Sequence, residues 1–292
     1  MLGDEWFHEH GYSWLVEDYY SDVSKEDLME ISYRPLRNFP IYDDGAPDAR
    51  NWCFIIGQAR SGTTAACELI TYHRDAAICP EYWLWGIAEK MFNNTNGVAR
   101  YPTYVKTLVR TRPDYYLKDG MFRASAVRNL FEGIRPRDLT IFGDKKSEYL
   151  LINPDLHKVF PNCKLVCTTR DPYDIVASRF DFYAFWKEDK KPEDLDVVAW
   201  DTLARVANYN RIIKHESTVW NIHNLNFEDM AEHPVRTTGE LLDFLELPRH
   251  RFDWDALKSM NYANTVGHWK RVPAVKKLRE ETEVNERNCD WL

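Results

Sequence analysis

Arg60, Ser61, Gly62, Thr63 and Thr64 stand together in NWCFIIGQARSGTTAACELI (residues 51–70), and each can help to hold an anion. The hydrophobic run Trp52 to Ile56 leads into Gly57, and a stretch with helical spacing follows Gly62. Gly57 and Gly62 permit the tight turn and close backbone approach that a phosphate needs. A helix opening there would offer its first N–H groups and the positive end of its dipole. Thr63 and Thr64 add hydroxyl donors, and Arg60 adds a planar fork suited to oxyanions. The ATP-binding pattern G-x-x-x-x-G-K-[ST] has a lysine where this chain has Thr63. Threonine cannot bridge the outer phosphates of ATP as that lysine does. A phosphate-bearing ligand other than ATP is therefore expected; the plainer alternative is an ordinary glycine-containing strand–helix turn.

A second constellation lies in TTRDPYDIVASRF (168–180), with Arg170 at the end of an expected strand and Ser178 in the helix after it. An Arg at a strand–helix turn with a serine hydroxyl nearby could clamp a second phosphate. Taken alone, Arg170–Asp171 reads equally as a turn salt bridge, and Ser178 as a helix-surface serine.

The elements that must carry these residues follow from hydrophobic patterning. WCFII is a short apolar run of strand length. Similar runs occur in LTIFGDK (139–145), CKLVCTTRD (163–171) and VWNIHNLNFEDM (219–230). Helical patterns follow at 64–73, from Asp174 onward, at 195–215, and in the proline-bounded PVRTTGELLDFLELP (234–248). Strands alternating with helices predict an α/β fold with an open, mostly parallel sheet. The whole chain, 1–292, is expected to be one domain, with residues 1–50 an irregular acidic lead-in and residues 82–137 a helical insertion shaping an acceptor pocket.

At 292 residues and 44% hydrophobic, the chain can bury a substantial core. It has no apolar run near the ~20 residues of a membrane span. MLGDEWFHEHG lacks a basic start followed by an apolar core, so no secretory signal is expected. The six cysteines, at 53, 67, 79, 163, 167 and 289, lack C-x-x-C spacing. A reducing, cytoplasmic setting is therefore expected, with no zinc site. Cys53 and Cys167 fall inside expected buried strands, where an isolated thiol behaves as a small hydrophobe. The net charge of -8 argues against nucleic acid as a partner. The charge is uneven: residues 1–51 carry twelve acids against four Lys/Arg, and residues 100–137 nine Lys/Arg against three acids. Locally converging cations can still host an anion on an acidic protein.

Taken together, the two constellations resemble the sulfotransferases that use 3'-phosphoadenosine 5'-phosphosulfate (PAPS), in a motif style nearest the tyrosyl-protein, heparan-type and related bacterial members. GQARSGTT resembles that family's 5'-phosphosulfate loop, P-[KR]-S-G-T-T, with Arg60 at the basic position and Ala59 in place of proline. RDPYDIVASRF resembles its 3'-phosphate motif, with Arg170 and Ser178 at the matching positions. GDKKSEYL (143–150) is similar to G-D-K-T-P-x-Y, with Lys145 aligned and Lys146-Ser147 departing from Thr-Pro. LNFEDMAEHPVRTTGELLDFLELP resembles the Y-E-D-[LM]…P…FLGL segment, with Phe227 where tyrosine is usual. TVGHWKRV (265–272) resembles the G-x-W-[RK] segment that closes over the cofactor, with Trp269 and Lys270 matching. The resemblance runs over roughly residues 51–272. It implies a P-loop-like three-layer α/β fold whose central, mostly parallel sheet is flanked by helices. It also implies PAPS as donor, PAP (3'-phosphoadenosine 5'-phosphate) as product, and no metal. Arg60, Ser61, Gly62, Thr63, Thr64, Arg170, Ser178, Phe227, Trp269 and Lys270 become the expected cofactor-binding residues.

The resemblance also places a general base at Glu81, with Arg74 departing from the family's usual proline upstream. His268 and His73 are lesser candidates. In-line displacement at sulfur is expected, with Glu81 removing the acceptor's hydroxyl proton and Arg60 and Lys145 neutralising the departing phosphate. Tyr82, Trp83, Trp85, Tyr101, Tyr104, Tyr115 and Tyr116 could wall a flat acceptor or simply pack the insertion. The expected partner is a small-molecule hydroxyl acceptor, a phenol being favoured, with neither nucleic acid nor membrane. The alternatives are a non-catalytic PAP-binding protein and a kinase-like phosphotransferase, for which the lysine and metal ligands are missing from the sequence.

Overall fold

The structure is a computed structural model. It describes residues 41–45, 51–80, 117–118, 121–132, 135, 138–146, 149, 153–186, 192–218, 220–260 and 262–286. In chain order its strands are β1 (Ile41–Tyr42), β2 (Asn51–Gly57), β3 (Ala76–Pro80), β4 (Leu117–Lys118), β5 (Met121–Arg123), β6 (Ile141–Lys145), β7 (Lys164–Thr169) and β8 (Ile222–Asn226). Its helices are α1 (Thr63–Thr71), α2 (Ala124–Glu132), α3 (Asn153–Val159), α4 (Pro172–Trp186), α5 (Pro192–Glu216), α6 (Phe227–Glu232), α7 (Pro234–Leu245), α8 (Trp254–Ser259) and α9 (Pro273–Glu286). Short 3-10 turns cover Arg249–Arg251, Ala263–Thr265 and His268–Arg271.

Five strands form one sheet in the order β3-β6-β2-β7-β8, and each neighbouring pair is parallel. β2 is its centre, which explains why its sequence is a continuous apolar run rather than an alternating one. Side chains that alternate along it enter two different cores. Trp52, Phe54 and Ile56 pack with Phe160, Tyr149 and Ile213 on one face. Cys53 and Ile55 pack with Ala66, Leu69 and Leu241 on the other. The expected three-layer α/β architecture follows from this two-sided burial. Each large apolar side chain so buried contributes about 1.5–3 kcal/mol. The rings of Trp52 and Phe54 lie 4.7 and 5.0 Å from that of Phe160, close enough to add tilted aromatic contacts. Cys53 and Cys167 are free and buried, and burial pushes both thiols up to about 12, so they act as small hydrophobes.

Parallel strands place all their C-terminal ends on one edge. Pairing sets the levels there: Gly57 lies opposite Thr168, Ile55 and Pro80 both opposite Lys145, and Thr169 opposite Asn226. The loop after β2, Lys145 at the end of β6, Arg170 after β7 and Phe227 after β8 thus all begin from this edge. α4 starts on it because Asp171 caps its first turn, its Oδ1 accepting from the N–H groups of Tyr173 and Asp174, with Pro172 as first helical residue.

Within the stretch expected as a helical insertion, the described part contains β4 and β5 as well as α2. β5 pairs parallel with β1 and antiparallel with β4. Strands of two or three residues are too short to show a period of two, so patterning did not reveal them. Asp44 ties this small sheet to α2 by accepting from the N–H and hydroxyl of Ser125. Among the described residues, no helix is long and apolar enough to cross a membrane.

His157, in the last turn of α3, stacks on Trp220 with ring centroids 3.4 Å apart. Burial lowers its pKa from 6.5 to about 4. Between these values the unfolded chain binds a proton that the folded one does not, so stability rises with pH across that window and falls on acidification. Urea midpoints measured from pH 7 to pH 4.5 should show this loss, of about 1–2 kcal/mol once residual solvent screening is allowed for. His157→Phe, which keeps a ring on Trp220 and cannot titrate, should flatten that part of the profile.

Candidate functional site

The loop between β2 and α1 is held by contacts that explain its composition. Gly57 has φ 136°, and a Cβ there would stand 2.5 Å from the Thr168 hydroxyl oxygen. Gly62 has φ 100°, and a Cβ there would stand 2.4 Å from the Phe227 ring. Both glycines therefore serve left-handed geometry and close packing at once. Ser61 is buried; its hydroxyl donates to the Gln58 carbonyl at 2.6 Å and lies 2.7 Å from the Thr168 hydroxyl. Its N–H also bonds Gln58, at 3.0 Å. Ser61 thus sets the loop's shape from within, a role its family position does not reveal.

The N-cap of α1 is Gly62, which supplies no side-chain cap. The first intrahelical bond runs from the N–H of Ala66 to the Gly62 carbonyl, so the first-turn N–H groups lie ahead of the ladder, where an outside anion can accept from them. Thr63 is buried in that turn and Thr64 is exposed. Lys145, the last residue of β6, is 3% exposed, and its Nζ donates to the Thr64 hydroxyl at 3.4 Å. The buried carboxylate of Asp144 holds this strand end, accepting from the Lys145 N–H at 2.8 Å and the Tyr149 hydroxyl at 2.6 Å. A desolvated ammonium therefore stands beside the first turn of α1.

The second junction meets the first. Arg170 leaves β7 with its side chain 6% exposed. Its guanidinium donates to the carbonyl of Arg60 at 3.2 Å and to that of Thr265 at 2.6 Å, and lies 4.5 Å over the Phe227 ring. Its buried Nε has no hydrogen-bond partner. Burial pulls its pKa below the ordinary arginine value and the charge of Arg60 pulls the same way, while Asp174, Glu228 and Asp171 oppose them. Arg60, at φ 75°, donates from Nε to the Ser178 hydroxyl at 3.0 Å and lies 5.3 Å over the Phe182 ring. Arg60 and Ser178, assigned by resemblance to opposite ends of the ligand, are thus in direct contact.

Phe227 opens α6 at the end of β8 and is buried. It is wedged between Gly62 and Arg170, which fixes the spacing of the two junctions. The next residue, Glu228, accepts from the N–H of Asp171 at 3.0 Å and so holds the start of α4. Trp269 and Lys270 lie in the last 3-10 turn, which folds back against α4. The N–H of Trp269 donates to Asp174 at 2.9 Å, and its ring packs under the Arg279 guanidinium at 4.3 Å. Lys270 is exposed, with Nζ 5.5 Å from the Trp269 ring.

The histidine candidates separate by position. His73 is buried just before β3 begins, away from the C-terminal edge. Its Nδ1 accepts from the Asp75 N–H at 3.1 Å, leaving Nε2 to donate to the Pro248 carbonyl at 3.0 Å. That pattern makes it a structural tie. His268 pairs with Asp181, Nε2 to Oδ2 at 2.6 Å. Glu81 and the aromatic residues Tyr82, Trp83, Trp85, Tyr101, Tyr104, Tyr115 and Tyr116 lie outside the described residues. Pro80, immediately before Glu81, ends β3 at the level of Lys145.

A model described as the sulfotransferase family matches residues 53–251. The nodulation protein NoeE of Sinorhizobium fredii is 29% identical over 131 residues, 43% of this chain and 30% of NoeE, so the match spans less than a third of that protein's length. The sulfotransferase domain of the Synechococcus PCC 7002 olefin synthase shares the fold, with a TM-score of 0.51 and 14% identity over 80% of this chain and 97% of that domain. A sulfotransferase from Alicyclobacillus acidocaldarius gives a TM-score of 0.46 and 19% identity over 77% of this chain and 96% of that one.

Proposed function

The chain belongs to the sulfotransferase family, and from that premise we propose that it moves the sulfonate group of PAPS to the hydroxyl of a small acceptor, a phenol being favoured. The observation that carries this reading is the buried Arg170 guanidinium, with its Nε unpartnered, docked on the backbone of Arg60. A buried guanidinium with a spare donor, paired with Asp174 only at 3.7 Å, suits a further anion, and the uncapped start of α1 suits a second one. One ligand bearing two separate phosphate groups suits both.

The residues fit such a donor. Thr63, Thr64 and the first-turn N–H groups of α1 would hold the 5'-phosphosulfate, and Arg170 with Ser178 the 3'-phosphate. Phe227 keeps the two sites in register, and the turn carrying Trp269 and Lys270 covers the second. PAPS when bound supplies a sulfonate joined to phosphate, with PAP as its leaving group. Glu81 takes the acceptor's hydroxyl proton as the acceptor oxygen bonds to sulfur. Arg60 and Lys145 stabilise the charge that gathers on phosphate oxygen when the electron pair of the broken sulfur–oxygen bond passes there. Arg60 leaves Ser178 in doing so, trading a neutral partner for an anionic one. The register of Pro80 with Lys145 supports this role for Glu81, because the residue before it ends β3 at the level of that lysine.

Incubation with PAPS labelled on sulfur and a mixed panel of phenols, alcohols, amines, sugars and tyrosyl peptides tests the reading. Label should move to a hydroxylated acceptor, phenols first. Tight PAP binding with no transfer to any acceptor would instead indicate a non-catalytic PAP-binding protein, and turnover of ATP with Mg²⁺ a phosphotransferase.

A further inference from the structure

Asp174 lies in the first turn of α4 and is 1% exposed. A carboxylate there interacts favourably with the helix dipole, yet burial this complete is costly without partners. Its partners come from far along the chain. Oδ2 accepts from the N–H of Gly267 at 2.8 Å, and Oδ1 from the N–H of Trp269 at 2.9 Å. Oδ2 also lies 3.7 Å from the Arg170 guanidinium. The same guanidinium donates to the carbonyl of Thr265, two residues before Gly267. Gly267 takes φ 66°, the left-handed turn that lets both N–H groups reach one carboxylate. Residues 265–269 thus form a strap fastened at one end to Arg170 and at the other to Asp174.

We infer that Asp174 is a positioning residue for donor binding: by gripping both amides it fixes the strap, and the strap's Thr265 carbonyl fixes the guanidinium of Arg170. This rests on the reading of Arg170 as the 3'-phosphate ligand. Two features favour positioning over charge supply. Both carboxylate oxygens accept from strap amides, at 2.8 and 2.9 Å, whereas Oδ2 stands at the longer 3.7 Å from the Arg170 guanidinium. Arg170, in turn, has two carbonyl acceptors and an unpartnered Nε, so its orientation is set by the strap while donor capacity remains. Arg279 backs the same unit, pairing with Asp171 at 2.9 Å and stacking on both Trp269 and Tyr173.

The test compares PAP with 5'-AMP, which lacks the 3'-phosphate, by calorimetric titration of the full chain and of its Asp174→Ala and Asp174→Asn variants. Asparagine preserves shape but offers an NH₂ where one strap amide needs an acceptor. Both variants should lose roughly tenfold or more in PAP affinity, the value of one charge-assisted hydrogen bond, with 5'-AMP affinity held. The preference for PAP should therefore collapse. Equal losses for both ligands would mark a merely structural role and overturn the inference, as would a preserved preference. Should a variant not fold, hydrogen exchange on the wild-type chain decides: PAP should slow the Gly267 and Trp269 amides and 5'-AMP should not. Equal protection by both ligands overturns the inference. If the wild type itself does not prefer PAP, the 3'-phosphate reading of Arg170 fails, and this inference with it.

Discussion

Glutamine in place of Glu81 should lower turnover about 10²–10⁴-fold, the contribution of a well-placed general base, while PAP binds as before. A hydroxyl attacking sulfur becomes more acidic only as its bond forms, so a carboxylate that receives the proton lowers the barrier by about 3–5 kcal/mol. Glutamine has a similar shape and hydrogen-bonding reach but cannot accept the proton. The loss should therefore fall on kcat rather than on PAP affinity. Acceptors with an acidic phenol should suffer less than aliphatic alcohols, because a proton already loosely held needs less help. Rates measured across acceptors of graded pKa would reveal this as a steeper dependence in the variant. Unchanged turnover in Glu81→Gln would remove Glu81 from the role.

Arg60→Ala should cost about 10²–10³-fold in kcat, the scale of losing one donor aimed at charge developing in the transition state. Arg60 sits at φ 75°, where any residue with a Cβ is strained, so the shape of the loop and the guanidinium are two separate contributions at this position. Arg60→Gly separates the two. Glycine relaxes that position and should leave the fold about as stable as the wild type or slightly more so, with activity as low as in the alanine variant. Arg60→Lys keeps the charge but loses the fork, and should recover only part of the rate. Recovery of activity in the glycine variant would mean that the loop's shape, and not the guanidinium, carries the function.

Much of this is legible in the sequence itself. The run Trp52 to Ile56 reads as a buried strand because burial on both faces removes alternation, and its central place came only with the sheet order. The first phosphate loop was legible because glycine, arginine, serine and threonine each carry a local reason to be there. β3 was not, since AAICP is an edge strand rich in alanine and ending in proline, a composition with little strand preference. Contacts between residues distant in sequence were equally hidden. Ser61 matches a phosphate-loop position, yet its hydroxyl meets Thr168, 107 residues away. Phe227 matches a motif, but its place between Gly62 and Arg170 exists only once β8 has paired with β7. Asp174 marked only the start of a helical pattern, and its partners lie 93 and 95 residues on.

The central claim is that two strand–helix junctions grip opposite ends of one doubly phosphorylated adenosine. Calorimetric titration of PAP and 5'-AMP into the wild-type chain and its Arg170→Ala variant tests it most directly. The wild type should prefer PAP by about 10–100-fold, the worth of a charged hydrogen bond, and Arg170→Ala should erase that preference while binding 5'-AMP as before. Equal affinity of the wild type for the two nucleotides, or an undiminished preference for PAP without the Arg170 side chain, would contradict it.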